Sequence, residues 1–91
     1  METFEILWNN ALTELEKTVS PISFSTYVAK LKPVDIEDNR LILCTESELF
    51  ANFIFTRLVE KINMALRNLN AGVEGFELCI GNSREDYLKF K

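Results

Sequence analysis

The 91-residue chain contains no histidine, which removes the side chain most used as a general base near neutral pH and the commonest nitrogen ligand for a transition metal. Ser-His-Asp, Cys-His and zinc-hydrolase sites are therefore excluded. The two cysteines, Cys44 and Cys79, complete a four-ligand zinc site only if carboxylates join them. They can form at most one bridge, far from the dense framework of small secreted folds, and are expected to be free thiols on the less buried face of a sheet. Gly72, Gly75 and Gly81 are not followed by Lys-Ser or Lys-Thr and lack the dinucleotide-fingerprint spacing, so no phosphate-cradling loop is present. Acid pairs such as Glu14 with Glu16 and Glu46 with Glu48 sit at spacings that leave them solvated. No catalytic residue, metal or cofactor is expected.

Composition points the same way. Apolar residues make up 47% and charged residues 26%, with three Gly and two Pro, the profile of a folded domain. A chain this short buries slightly more than about 60% of its unfolded surface, enough for one thin core and no deep cleft. The net charge of −4 opposes tight duplex binding, which needs a basic excess. No apolar run reaches the roughly 18 residues of a membrane span, and the start Met1-Glu2-Thr3-Phe4-Glu5 is acidic where an export signal is basic. A cytosolic location without membrane contact is expected.

Hydrophobic spacing supplies the elements. Phe4, Leu7, Trp8, Ala11, Leu12, Leu15 and Val19 form one helical stripe, with Thr3 as a possible cap and Ser20-Pro21 as the stop. Phe24, Tyr27, Val28 and Leu31 predict a shorter helix from about Ser23 to Lys30, ended by Pro33, with Ser23 and Thr26 facing outward. Val34 to Glu37, the turn Asp38-Asn39 and Leu41 to Cys44 read as a β-hairpin with Val34, Ile36, Leu41 and Leu43 toward the core.

Thr45-Glu46-Ser47-Glu48 fits a capping box opening a long third helix, whose stripe is Phe50, Phe53, Ile54, Leu58, Ile62, Ala65 and Leu69. The segment Asn68 to Gly75 ends it. Phe76, Leu78 and Ile80 then alternate as a last strand. The expectation is an α+β domain, helix-helix-strand-strand-helix-strand, with a three-stranded sheet covered by helices over residues 1–80 and a tail, 81–91, read as a linker or a frayed helix. Leu49 lies about 100° from the third helix's stripe and should be exposed, with Phe55 and Val59 partly uncovered on another flank. Such apolar groups off the core are a candidate contact patch.

Leu7-Trp8-Asn9-Asn10-Ala11-Leu12, Ser23-Phe24-Ser25-Thr26-Tyr27, Asn39-Arg40-Leu41-Ile42-Leu43 and the helix from Ser47 to Asn68 resemble, in order and spacing, the N-terminal domain of the bacterial replication initiator DnaA, over roughly residues 3 to 80. The sequence departs from the family's habit at Glu46-Ser47, where Pro-Asn is usual, at Leu49, often Phe, and at Tyr27, usually Trp. The resemblance implies a KH-like fold without enzymatic activity, acting in self-association of initiators, docking of the replicative helicase and binding of regulators. It places weak self-association on Leu7 and Trp8, so that Trp8→Ala is expected to weaken association and leave the melting temperature nearly unchanged. It places the helicase- and regulator-binding surface on Ser23, Thr26, Tyr27, Ser47, Leu49 and Phe50. Two alternatives stand beside this reading. One is a KH-like module for single-stranded nucleic acid, opposed by the acidic balance and the missing Gly-x-x-Gly loop, which leaves at most weak single-stranded DNA contact. The other is a free-standing regulator competing with a full-length initiator.

Overall fold

The computed structural model describes residues 3–90, and the side chains of residues 4–89. Helix α1 spans Thr3–Thr18 and presents the predicted stripe: Leu7, Trp8, Ala11, Leu15 and Val19 are buried and Phe4 and Leu12 pack against them. The Thr3 side chain, expected as a cap, lies outside the described side chains. Ser20 both ends this helix and begins the next. Its Oγ accepts the Ser23 N–H at 3.3 Å with Pro21 in the first turn, a position where the missing N–H costs nothing.

The short helix α2, Pro21–Ser23, therefore starts before the expected Ser23 and runs straight into a π-helical turn, Phe24–Val28. There the Ala29 N–H donates to the Phe24 carbonyl, five residues back, at 2.8 Å. This wider turn was not legible in spacing that fits an ordinary helix equally well.

Strands β1, Lys32–Glu37, and β2, Arg40–Thr45, form the expected hairpin. Asp38 and Asn39 both take positive φ, 51° and 64°, as a two-residue turn with the right twist requires. Strand β3, Gly75–Ile80, pairs parallel to β2, so the sheet is mixed, in the order β1-β2-β3. Ile36, Leu41 and Leu43 meet the main core as expected, but Val34 does not. The register shifts between Pro33 and Asp35, and this bulge turns Val34 onto the opposite face with Ile42, Cys44, Cys79 and Tyr87.

The long third helix is two helices, α3 from Glu48 to Arg57 and α4 from Val59 to Asn68. They part at Leu58, whose φ of −117° and ψ of −5° depart from regular helical values. The Thr56 hydroxyl donates to the Asn52 carbonyl at 2.7 Å, a back-bond that bends helices. Hydrogen bonds from Leu58 to Ile54 and from Ile62 to Leu58 nevertheless carry the ladder past the break. The helical cap is Ser47 rather than Thr45: its Oγ accepts the Phe50 N–H at 3.2 Å, while Thr45 closes β2 and is buried.

Within the tail a helix forms and packs. Arg84–Phe90 form helix α5, in which the Ser83 hydroxyl accepts the Asp86 N–H and the Asp86 carboxylate accepts from the Asn82 N–H at 2.9 Å and from the Ser83 hydroxyl. Tyr87 is buried against the sheet face that carries Val34, Ile42, Cys44 and Cys79. Arg84 reaches Asp35 of β1 at 3.1 Å.

Leu7 and Trp8, expected at a self-association contact, are 6% and 2% exposed. An indole so enclosed is a packing element first, which reverses the expectation for its truncation. Trp8→Ala should lower unfolding stability by about 3–5 kcal/mol in a urea titration, the usual cost of emptying a large aromatic site. The Asp86 carboxyl is held below its ordinary pKa, first by the Asn82 backbone N–H and then by Ser83. A lowered folded pKa contributes stability above the unfolded value that is lost as pH falls through the folded one. The α5 amides should therefore lose hydrogen-exchange protection on acidification, and less so in Asp86→Asn.

Candidate functional site

The residues singled out for partner binding come from two elements that meet at one edge of the fold. Ser20 fixes the start of α2, and the π turn after it swings Tyr27 toward α3. Ser47 fixes the start of α3, which sets Leu49 and Phe50 in its first turn. Tyr27 is the hinge of the arrangement. Its ring stacks on Phe53 at 3.9 Å between centroids, 11° from parallel, and meets Phe50 edge-on at 5.2 Å and 80°. The edge-on contact suits the ring quadrupole, and the close stack on Phe53 buries ring face against ring face. The Arg57 guanidinium lies 5.9 Å from the Phe53 centroid, in range of a cation-π contact.

The elements that carry this half-buried aromatic trio also carry large exposed apolar groups. Leu49 is 74% exposed, as its helical position predicts, and Ile22 of α2 is 78% exposed. Ser23, Thr26, Tyr27, Ser47 and Phe50 are half-buried. The structure brings Tyr27 against Phe50, with Ser23 and Thr26 on the Tyr27 side of that contact and Ser47 and Leu49 on the Phe50 side in chain order, while Leu7 and Trp8 lie in the core. Ile22 is a surface residue that spacing missed, because a helix read from Ser23 leaves it in the turn. The signal available was Pro21, a residue favoured in a first helical turn. Phe55, 53% exposed, lies on another flank with its ring nearly parallel to Phe76, 6.3 Å between centroids.

Ser47 is committed to its cap, and no group of three His, Cys, Asp or Glu among the described residues could hold a metal ion. An open, polar depression of about 450 Å³ lies elsewhere, lined by Asp38, Arg40, Asn63, Arg67 and Glu74, and shares no residue with the aromatic surface. No described helix is long and apolar enough to cross a membrane. What the surface offers is large apolar groups around preordered rings, the composition of a contact anchor.

A family model described as the DnaA N-terminal domain matches residues 5–68. The matched stretch contains both halves of the aromatic surface and ends before β3 and α5.

Two substitutions separate what holds this surface from what it presents. Ser47→Ala should cost about 1 kcal/mol of unfolding stability through the lost cap. Leu49→Ala should change it by less than about 0.5 kcal/mol, as expected of an exposed side chain. Paired urea titrations check both.

Proposed function

The chain belongs to the DnaA N-terminal domain family, and on that premise we propose that it is a non-catalytic protein-interaction domain of a DNA replication initiator. In this reading the aromatic surface docks the replicative helicase and replication regulators, and the domain also associates weakly with copies of itself. The observation that carries it is the exposure of Leu49 and Ile22, at 74% and 78%, on the two elements that the packed Tyr27, Phe50 and Phe53 rings join. Bulky apolar groups held out by fixed helix starts are poor core and good anchors.

Self-association in this reading runs through α1, where Ile6 is 45% exposed next to the buried Leu7 and Trp8. Weak contacts of this kind become effective when many copies are tethered along one DNA site. The net charge of −4 favours protein over nucleic acid as the partner.

Biolayer interferometry against the replicative helicase of the same organism tests the docking role. Leu49→Ala and Ser23→Arg should each raise Kd at least about tenfold, while Met64→Ala, exposed on α4, should bind as the parent does. Unchanged affinity in both surface variants would remove this surface from the helicase contact.

A further inference from the structure

Cys44 and Cys79 are used by neither the docking surface nor the main core. They are paired residues of the parallel β2-β3 ladder, each 1% exposed, under α5. Their Sγ atoms lie 2.6 Å apart. Neighbouring strands run about 4.8 Å apart, inside the Cα separation that a disulfide accepts. Two buried thiols set side by side on one sheet face differ from the ordinary buried cysteine, which has no partner and is inert.

We propose that Cys44 and Cys79 are a site of reversible oxidation by a peroxide, closing to a disulfide between β2 and β3, with α5 as the cover that controls access. One thiolate attacks the peroxide O–O bond, becoming a sulfenic acid as hydroxide leaves and takes up the released thiol proton. The second thiol displaces water from that sulfur as the S–S bond forms. Two thiols and one hydrogen peroxide thus give one disulfide and two waters. A dithiol reductant returns both thiols by exchange.

Access follows from packing. With α5 seated, the Cys79 thiol is pushed up to about 12, by burial first and then by its contact with Cys44, so little thiolate exists near neutral pH. The cover is a seven-residue helix, short enough to depend on docking rather than on its own stability. Tyr87 holds it to the sheet, Arg84 holds it to Asp35, and the Cys44 thiol itself reaches the Ser83 carbonyl at 3.7 Å. Gly81 joins β3 to this helix at a φ of +148°, where an added Cβ would collide with Asp86 Cβ. Local opening of α5 therefore precedes reaction.

The test treats the 91-residue chain with hydrogen peroxide and reads intact mass and free thiols. Loss of two hydrogens per monomer, with both thiols silent and restored by dithiothreitol, is the expected result, and Cys44→Ser and Cys79→Ser should each abolish it. Gly81→Ala, checked as folded by circular dichroism, should speed the reaction at least about tenfold if opening of the cover limits the rate. Oxygen addition without hydrogen loss, thiols still free after peroxide, or bridging only between chains would overturn the disulfide. An unaltered rate in folded Gly81→Ala would overturn the role of α5.

Discussion

Strand β2 is buried on both faces, and most of the architecture follows from that. Leu41 and Leu43 point into the main core while Ile42 and Cys44 point the other way, all four at 0% or 1% exposure. A central strand with two apolar faces has to be covered twice. Helices α1, α3 and α4 and the π turn close one side around Leu41, Leu43, Ile54 and Ile62. On the other side Tyr87 of α5, with the bulged Val34 beside it, closes the cluster around Ile42, Cys44 and Cys79. Removing apolar surface from water on two sides of one strand is the largest favourable contribution that so thin a domain has available.

The candidate docking surface is what remains when the helices are committed to these covers. The start of α3 leans on the π turn through Tyr27, Phe50 and Phe53, and this contact leaves Leu49 and Ile22 pointing out. Side chains at a helix start are fixed in direction by the cap that sets it, here Ser47 and Ser20. The apolar groups are thus presented in a set geometry, which lowers the ordering cost of binding. The same economy places the cysteines: among the described residues the second cover is one seven-residue helix seated on the sheet by Tyr87.

Much of this was legible in the chain. The period of α1 gave its buried stripe, Asp38-Asn39 gave the hairpin, and the angular offset of Leu49 gave its exposure. What escaped was set by tertiary contact or by single backbone events. The bulge at Val34 reverses one residue without altering the apolar alternation. The break at Leu58 occurs without Pro or Gly, the residues by which spacing would mark it. Helix α5 was masked by its polar composition, since one tyrosine anchors it. Trp8 was assigned a contact role by resemblance, whereas its place in the α1 stripe already pointed inward. The unbroken run Leu41-Ile42-Leu43-Cys44 was the available sign that β2 needed a second cover, because a half-exposed strand alternates.

Two-sided burial of β2 is tested most directly by removing the second cover and measuring what the first can hold alone. In urea unfolding, the chain ending at Gly81 should be less stable than the full chain by at least about 2 kcal/mol, the order expected when Tyr87 and the apolar face beneath it return to water. Equal stability, within about 0.5 kcal/mol, would mean that β2 needs only one covered face, and the account built on it would fail.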